Sequence, residues 1–163
     1  MYSLHCTKKL LDRIRPSIAM SLPPSTTALG NWYATALFWK PQLALLVNER
    51  TLLPVLMPLA PASTMTKRFP AELAATLSRH GAIEAFIERE VAAMAEVTVA
   101  TTANRSAVGT MNEFSFLAEG YREYLETSDL VTLSMRLADT PCSPLKYNTP
   151  ARLIKEIVGD AVR

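Results

Sequence analysis

The 163-residue sequence is short of cysteine, of histidine, of net charge and of long apolar runs, and each shortage removes a class of protein. Cys6 and Cys142 are its only cysteines. They stand far apart, without the paired short spacings of a zinc site or a redox dithiol, so both are expected as reduced thiols. No metal and no cofactor is expected. Lys and Arg number 17 against 15 Asp and Glu, a formal charge of +2, which argues against nucleic-acid binding through bulk charge and leaves only a local basic patch open. The most apolar run, Leu52 to Ala62, is too short to span a bilayer and is broken by Pro54, Pro58 and Pro61. The start, Met1 to Cys6, has neither a basic segment ahead of an apolar one nor a small-residue cleavage site. A cytoplasmic location and no membrane partner are the expectation.

What remains is a chain that is 49% hydrophobic and 20% charged, in the globular range. A length near 150 residues buries roughly 68–70% of its unfolded surface, so the core needs no staple. Alternation of Tyr2, Leu4 and Cys6 with Ser3 and His5 predicts a strand with one buried face. Thr7 then caps a short helix lined by Leu10, Leu11, Ile14 and Ile18. Pro23 and Pro24 make a loop of Ser21 to Thr27. Trp32–Trp39 and Leu43–Asn48, divided by Lys40-Pro41-Gln42, predict a hairpin, and a tight turn leads into a third strand, Thr51 to Met57, that Pro54 confines to an edge or a bulge.

Pro70 and Gly81 bracket a helix from Pro70 to His80; Ile83, Phe86, Ile87, Val91 and Met94 mark a second, reaching Glu96. Val97, Val99 and Thr101 predict a strand. Thr110-x-x-Glu113 reads as a capping box opening a helix to Glu126, with Met111, Phe114, Ala118, Tyr121 and Leu125 on one face. Alternation from Val131 to Ala138 predicts a further strand, Pro141, Pro144 and Pro150 an extended Cys142 to Thr149 loop, and Leu153, Ile154, Ile157, Val158 and Ala161 a final helix. The sum is a single α+β domain over residues 1–163, a mainly antiparallel or mixed sheet packed by about four to five helices, without repeats and without regular βαβ alternation.

Five stretches carry a resemblance: Leu4 to Leu11, Leu29-Gly30-Asn31-Trp32-Tyr33-Ala34, Asn48-Glu49-Arg50-Thr51-Leu52-Leu53-Pro54, Ala103 to Phe114, and Ala138-Asp139-Thr140-Pro141-Cys142-Ser143-Pro144-Leu145. Through them the chain resembles a family of uncharacterised bacterial proteins, a domain of unknown function found as stand-alone chains of this length. The resemblance implies no activity, cofactor or catalytic residue. Thr110 and Glu113 stand where the family is similar to a Ser and an Asp, which keeps the capping chemistry.

The segment Asn104 to Glu113 joins a predicted strand to a predicted helix start, where free N–H groups and the positive dipole end favour phosphate or carboxylate. Asn104, Arg105, Ser106, Gly109, Thr110 and Asn112 are the ligand-binding candidates: Arg105 for a bidentate fork, Gly109 for close backbone approach, Thr110 for a hydroxyl and Asn112 for an amide. The competing reading is structural, with Arg105 paired to Glu49 or Glu113 and Gly109 serving a backbone angle. The loop lacks Walker spacing. His5, Glu49 and Glu113 are the candidate proton-transfer groups, and for His5 a hydrogen-bonded structural role is the default. His80 sits at a helix end, and Ser106 has no identifiable base.

Asn31-Trp32-Tyr33 and Trp39 suit either base stacking or the core. Lys8, Lys9, Arg13 and Arg15 suit phosphate contact or a solvated helix face, and Glu88-Arg89-Glu90 and Arg122-Glu123 read as exposed faces. Two functions follow. One is a small bacterial interaction or regulatory module, plasmid-, phage- or defence-associated, that binds a protein or a small acidic ligand. The alternative is a small enzyme on a phosphate-bearing substrate, RNA or a nucleotide, built on Arg105 and the helix start. An open pocket holding Arg105, Asn112, His5 and Glu49 favours the enzyme, and a buried Arg105–Glu49 pair excludes it.

Overall fold

The computed structural model describes residues 1–125 and 129–162. Five strands form one mixed sheet: β1 (Tyr2–Cys6), β2 (Trp32–Leu37), β3 (Leu43–Asn48), β4 (Pro54–Pro58) and β5 (Val97–Thr101), in the order β4-β3-β2-β1-β5. The hairpin and the third strand form the expected antiparallel meander, Leu37 opposite Leu43 and Leu45 opposite Leu56. β1 lies between β2 and β5 and is parallel to both, with Leu4 opposite Trp32 and Val99.

Six α-helices lie among the described residues: α1 (Lys8–Ile14), α2 (Met65–Arg79), α3 (Glu84–Ala93), α4 (Arg105–Leu125), α5 (Leu130–Ala138) and α6 (Pro150–Val162). The α+β expectation holds, with more helices than the sequence implied. Side chains alternate across the sheet and feed two cores. Tyr2, Leu4, Trp32, Leu46 and Val55 face α1, α2, α3 and α6, whereas Tyr33, Leu45 and Val47 face Ala107, Met111 and Phe114 of α4. β1 is therefore buried on both faces rather than one, Ser3 and His5 included.

Five local expectations fail. The Thr7 hydroxyl does not cap α1; it bonds Thr35 Oγ1 at 2.9 Å. α2 begins at Met65, so Pro70 lies inside it. The extra turn buries Met65 and Phe69, whose ring meets Trp32 edge-on at 5.0 Å and Tyr2 at 6.2 Å. Burying two large side chains, each worth about 1.5–3 kcal/mol, offsets a helix-interior proline's cost of about 3 kcal/mol.

The predicted Val131 to Ala138 strand is helix α5. Leu133 and Leu137 lie four apart, a spacing that both a strand and a helix satisfy, and the buried set includes Ser134 and Ala138, which only a helix brings alongside them. Asp129 caps it, Oδ1 accepting from Val131 N at 3.1 Å. The Cys142 to Thr149 stretch is not extended: Ser143–Leu145 is a 3-10 turn, Lys146 and Tyr147 have positive φ, and Cys142 N donates to Asn148 O at 3.0 Å. Ile18 is exposed to 48% and lies beyond α1, bridging to Val99 at the outer edge of β5.

Candidate functional site

β1 and β5 run side by side, and their carboxyl ends part company. β1 leads into α1, whose Leu10 enters one core; β5 leads through residues 102–104 into α4, whose Ala107 enters the other. In an open sheet this divergence leaves a crevice outside the strand ends, the usual place for a ligand. His5 lies at the divergence, its Nδ1 3.0 Å from Thr101 O across the β1–β5 seam. Its ring stacks on Tyr33 at 4.6 Å and 12°. The Tyr33 hydroxyl accepts the Asn104 amide at 3.0 Å, which ties the start of α4 to the sheet. Burial pushes the Tyr33 phenol above its ordinary value, and the Asn104 N–H pulls it back.

α4 starts at Arg105, five residues before the predicted capping box, and the box does not form. Asn104 is the cap: its Oδ1 accepts from Ser106 N at 2.9 Å and Ala107 N at 3.2 Å. Thr110 is buried, and its hydroxyl donates to Ser106 O at 2.9 Å, a back-bond inside the helix. Gly109 is helical, without positive φ, and a Cβ there would meet nothing within 4 Å. Gly109 thus serves no special backbone angle. Asn104 is an N-cap residue by type, but the Thr110-x-x-Glu113 pattern set the predicted start downstream of it.

An open depression of about 470 Å³ lies at this helix start, lined by Thr102, Ala103, Asn104, Arg105, Val108, Gly109 and Asn112. Four of the six ligand-binding candidates line it. Thr110 points inward instead, and Ser106 is exposed outside the lining. Arg105 is exposed, and no described residue pairs with it, neither Glu49 nor Glu113. Asn104 Oδ1 already holds two first-turn amides, so an anion here would rely on the Arg105 guanidinium and the Asn112 amide more than on backbone donors.

The proton-transfer candidates do not converge on it. His5 reaches the depression only through Tyr33 and Asn104. Glu49 follows β3 beside Asn31, whose carbonyl accepts its amide at 3.0 Å. Glu113 is exposed and faces Cys142, whose thiol burial first and Glu113 second push up to about 11. Burial raises the Cys6 thiol to about 12, so burial favours the neutral thiol at both cysteines. Among the described residues no three His, Cys, Asp or Glu side chains gather to hold a metal.

The remaining candidates divide. Trp32 and Tyr33 are core residues, while Lys8, Lys9, Arg13 and Arg15 are exposed, Lys9 Nζ lying 5.9 Å from the centre of the Phe38 ring. Glu90 corrects its expectation: it is buried, and its carboxylate accepts from Ala28 N at 2.8 Å and Leu29 N at 3.1 Å, pinning the loop before β2 to α3. Burial drives its pKa up, and those two amides draw it down.

A family described as Domain of unknown function (DUF6933) matches residues 3–153. The chain belongs to this family. The match takes in the sheet from Ser3 of β1 onward, the β5–α4 junction and the first residues of α6. No curated protein and no solved structure matches the chain. In this DUF6933 chain no described helix is long and apolar enough to cross a membrane.

Proposed function

We propose that the chain is a small interaction or regulatory module that binds a small acidic ligand, a phosphate or carboxylate, where β5 passes into α4. The observation that carries this reading is Arg105: exposed, without an ion-pair partner among the described residues, and on the lining of an open depression with Asn104 and Asn112. A guanidinium used to fix a turn would be bonded to the turn it fixes; a free one beside two amides presents edge donors that fork to two oxygens of a carboxylate or phosphate. The described lining contains no carboxylate, imidazole or thiol, which favours binding over turnover.

Calorimetry with inorganic phosphate, nucleotides, small carboxylates and short RNA on the wild type and Arg105→Gln tests it. The wild type should bind at least one of them in the millimolar range or tighter, and Arg105→Gln should lose that binding with its melting temperature unchanged, since an exposed substitution shifts stability by about 0.5 kcal/mol or less. A wild type that binds none of them removes the reading.

The stacked His5 supports a second reading, turnover of RNA or a nucleotide in the same crevice, because its Nε2 has no partner among the described residues. Hydrolysis of such a substrate by the wild type, lost in His5→Gln, would decide for it; binding without hydrolysis decides against it.

A further inference from the structure

A second cavity lies at the other end of α4, about 25 Å along the helix from Arg105 at 1.5 Å per residue. It encloses about 290 Å³ between the β2–β3 hairpin and the approach of α5. Its walls are apolar: Pro41, Leu43, Pro58, Leu130 and Leu133, with the indole of Trp39. Leu43 and Leu133 of this lining belong to the α4-side core. Two cations, Lys40 and Arg122, complete the lining, and it includes no described carboxylate.

Arg122 is half-buried, its guanidinium 4.3 Å from the centre of the Trp39 ring, and no described carboxylate or carbonyl accepts from it. Stacking fixes the plane of a guanidinium while leaving its edge donors free, the arrangement that presents a fork to a planar anion. A half-buried cation with unbonded donors beside an apolar hollow is complementary to a ligand that is apolar at one end and anionic at the other.

We propose that this cavity binds a small apolar monocarboxylate of the arylalkanoate kind, its ring among Trp39, Pro41, Leu43, Pro58 and Leu133 and its carboxylate on Arg122, with Lys40 at the rim. Size sets the class: a cavity of about 150 Å³ holds a bare benzene ring, so about twice that volume takes a ring with a short acid-bearing chain. The proposal is independent of the Arg105 depression.

Titration calorimetry on the full chain with 3-phenylpropionate, 3-phenylpropanamide and acetate tests it, together with a short peptide ending in a free phenylalanine carboxylate. The acid should saturate the wild type at millimolar concentration or below, the amide should bind at least about tenfold more weakly, and acetate should not bind. Arg122→Gln should weaken the acid by at least about tenfold and leave the amide unchanged, and Arg105→Gln should change neither. Equal binding of acid and amide, no saturation by the acid, or an Arg122→Gln variant that binds the acid as the wild type does would overturn it. Binding of the peptide without the free acid would also overturn it and assign the cavity to a protein partner's C-terminus. The acid-against-amide comparison uses only the wild type, so it stands even if Arg122→Gln fails to fold.

Discussion

Ser134 Oγ accepts the amide proton of Leu56 at 2.9 Å and donates its own to Leu130 O at 2.7 Å. Leu56 belongs to β4, the edge of the sheet, and its N–H points away from β3. Residues 54 and 58 share that parity, so Pro54 and Pro58 stand where the ladder needs no donor. Two prolines and one serine on a helix thus close an edge that would otherwise offer free amides to another chain. At the opposite edge Ala19 N donates to Val99 O at 2.9 Å, and the segment after α1 covers β5.

Ser134→Ala leaves the Leu56 N–H buried without an acceptor. The expected cost is about 1–3 kcal/mol, read as a lower urea midpoint at unchanged slope. A midpoint equal to that of the wild type would show that the edge amide finds another partner.

His80 ends α2, is 4% exposed, and has no bond to either ring nitrogen. Burial first, then Lys155 of α6, holds the imidazole below its ordinary value of 6.5; Asp139 pulls upward and the adjacent Arg79 downward. The unfolded chain takes up this proton at a higher pH than the folded one, so stability is full above that ordinary value and falls as the pH drops through it toward the folded value. The urea midpoint at about pH 5.5 should lie below that at about pH 7.5 by more in the wild type than in His80→Leu, which lacks the buried imidazole. The same difference in both proteins would assign the dependence to other groups.

Met111 and Gly109 stand two residues apart on α4 and predict opposite signs. Met111 is 1% exposed in the core against the sheet, so Met111→Ala should cost roughly 2–5 kcal/mol. Gly109 is exposed, helical and unobstructed, so Gly109→Ala should stabilise by about 0.5–1 kcal/mol. Thermal and urea unfolding of the two variants check both, and a destabilised Gly109→Ala would mean that α4 starts after that residue.

The sequence by itself determined the meander, the strand Val97 to Thr101, the apolar face of α4 and the edge position of the proline-bearing strand, because each is written in neighbouring residues: alternation, a three-and-four period, a missing donor. It also placed Asn104, Arg105, Gly109 and Asn112 in one segment. It did not determine where the helices begin or which polar residues are free. Met65 and Phe69 extend α2 through a proline only because Tyr2 and Trp32 wait across the sheet, and Leu133 fits a strand or a helix until the edge of β4 selects the helix. Glu90 reads as an exposed helix charge and is buried because Ala28 and Leu29, some sixty positions earlier, bring two amides to it. Arg105 and Arg122 are the converse: the chain has enough carboxylates to pair both, and only the packing of α4 leaves one free at its amino end and the other stacked on Trp39. Local patterns fix which conformations are cheap; contacts between residues distant in sequence decide which of them is used, and those contacts exist only once the sheet has formed.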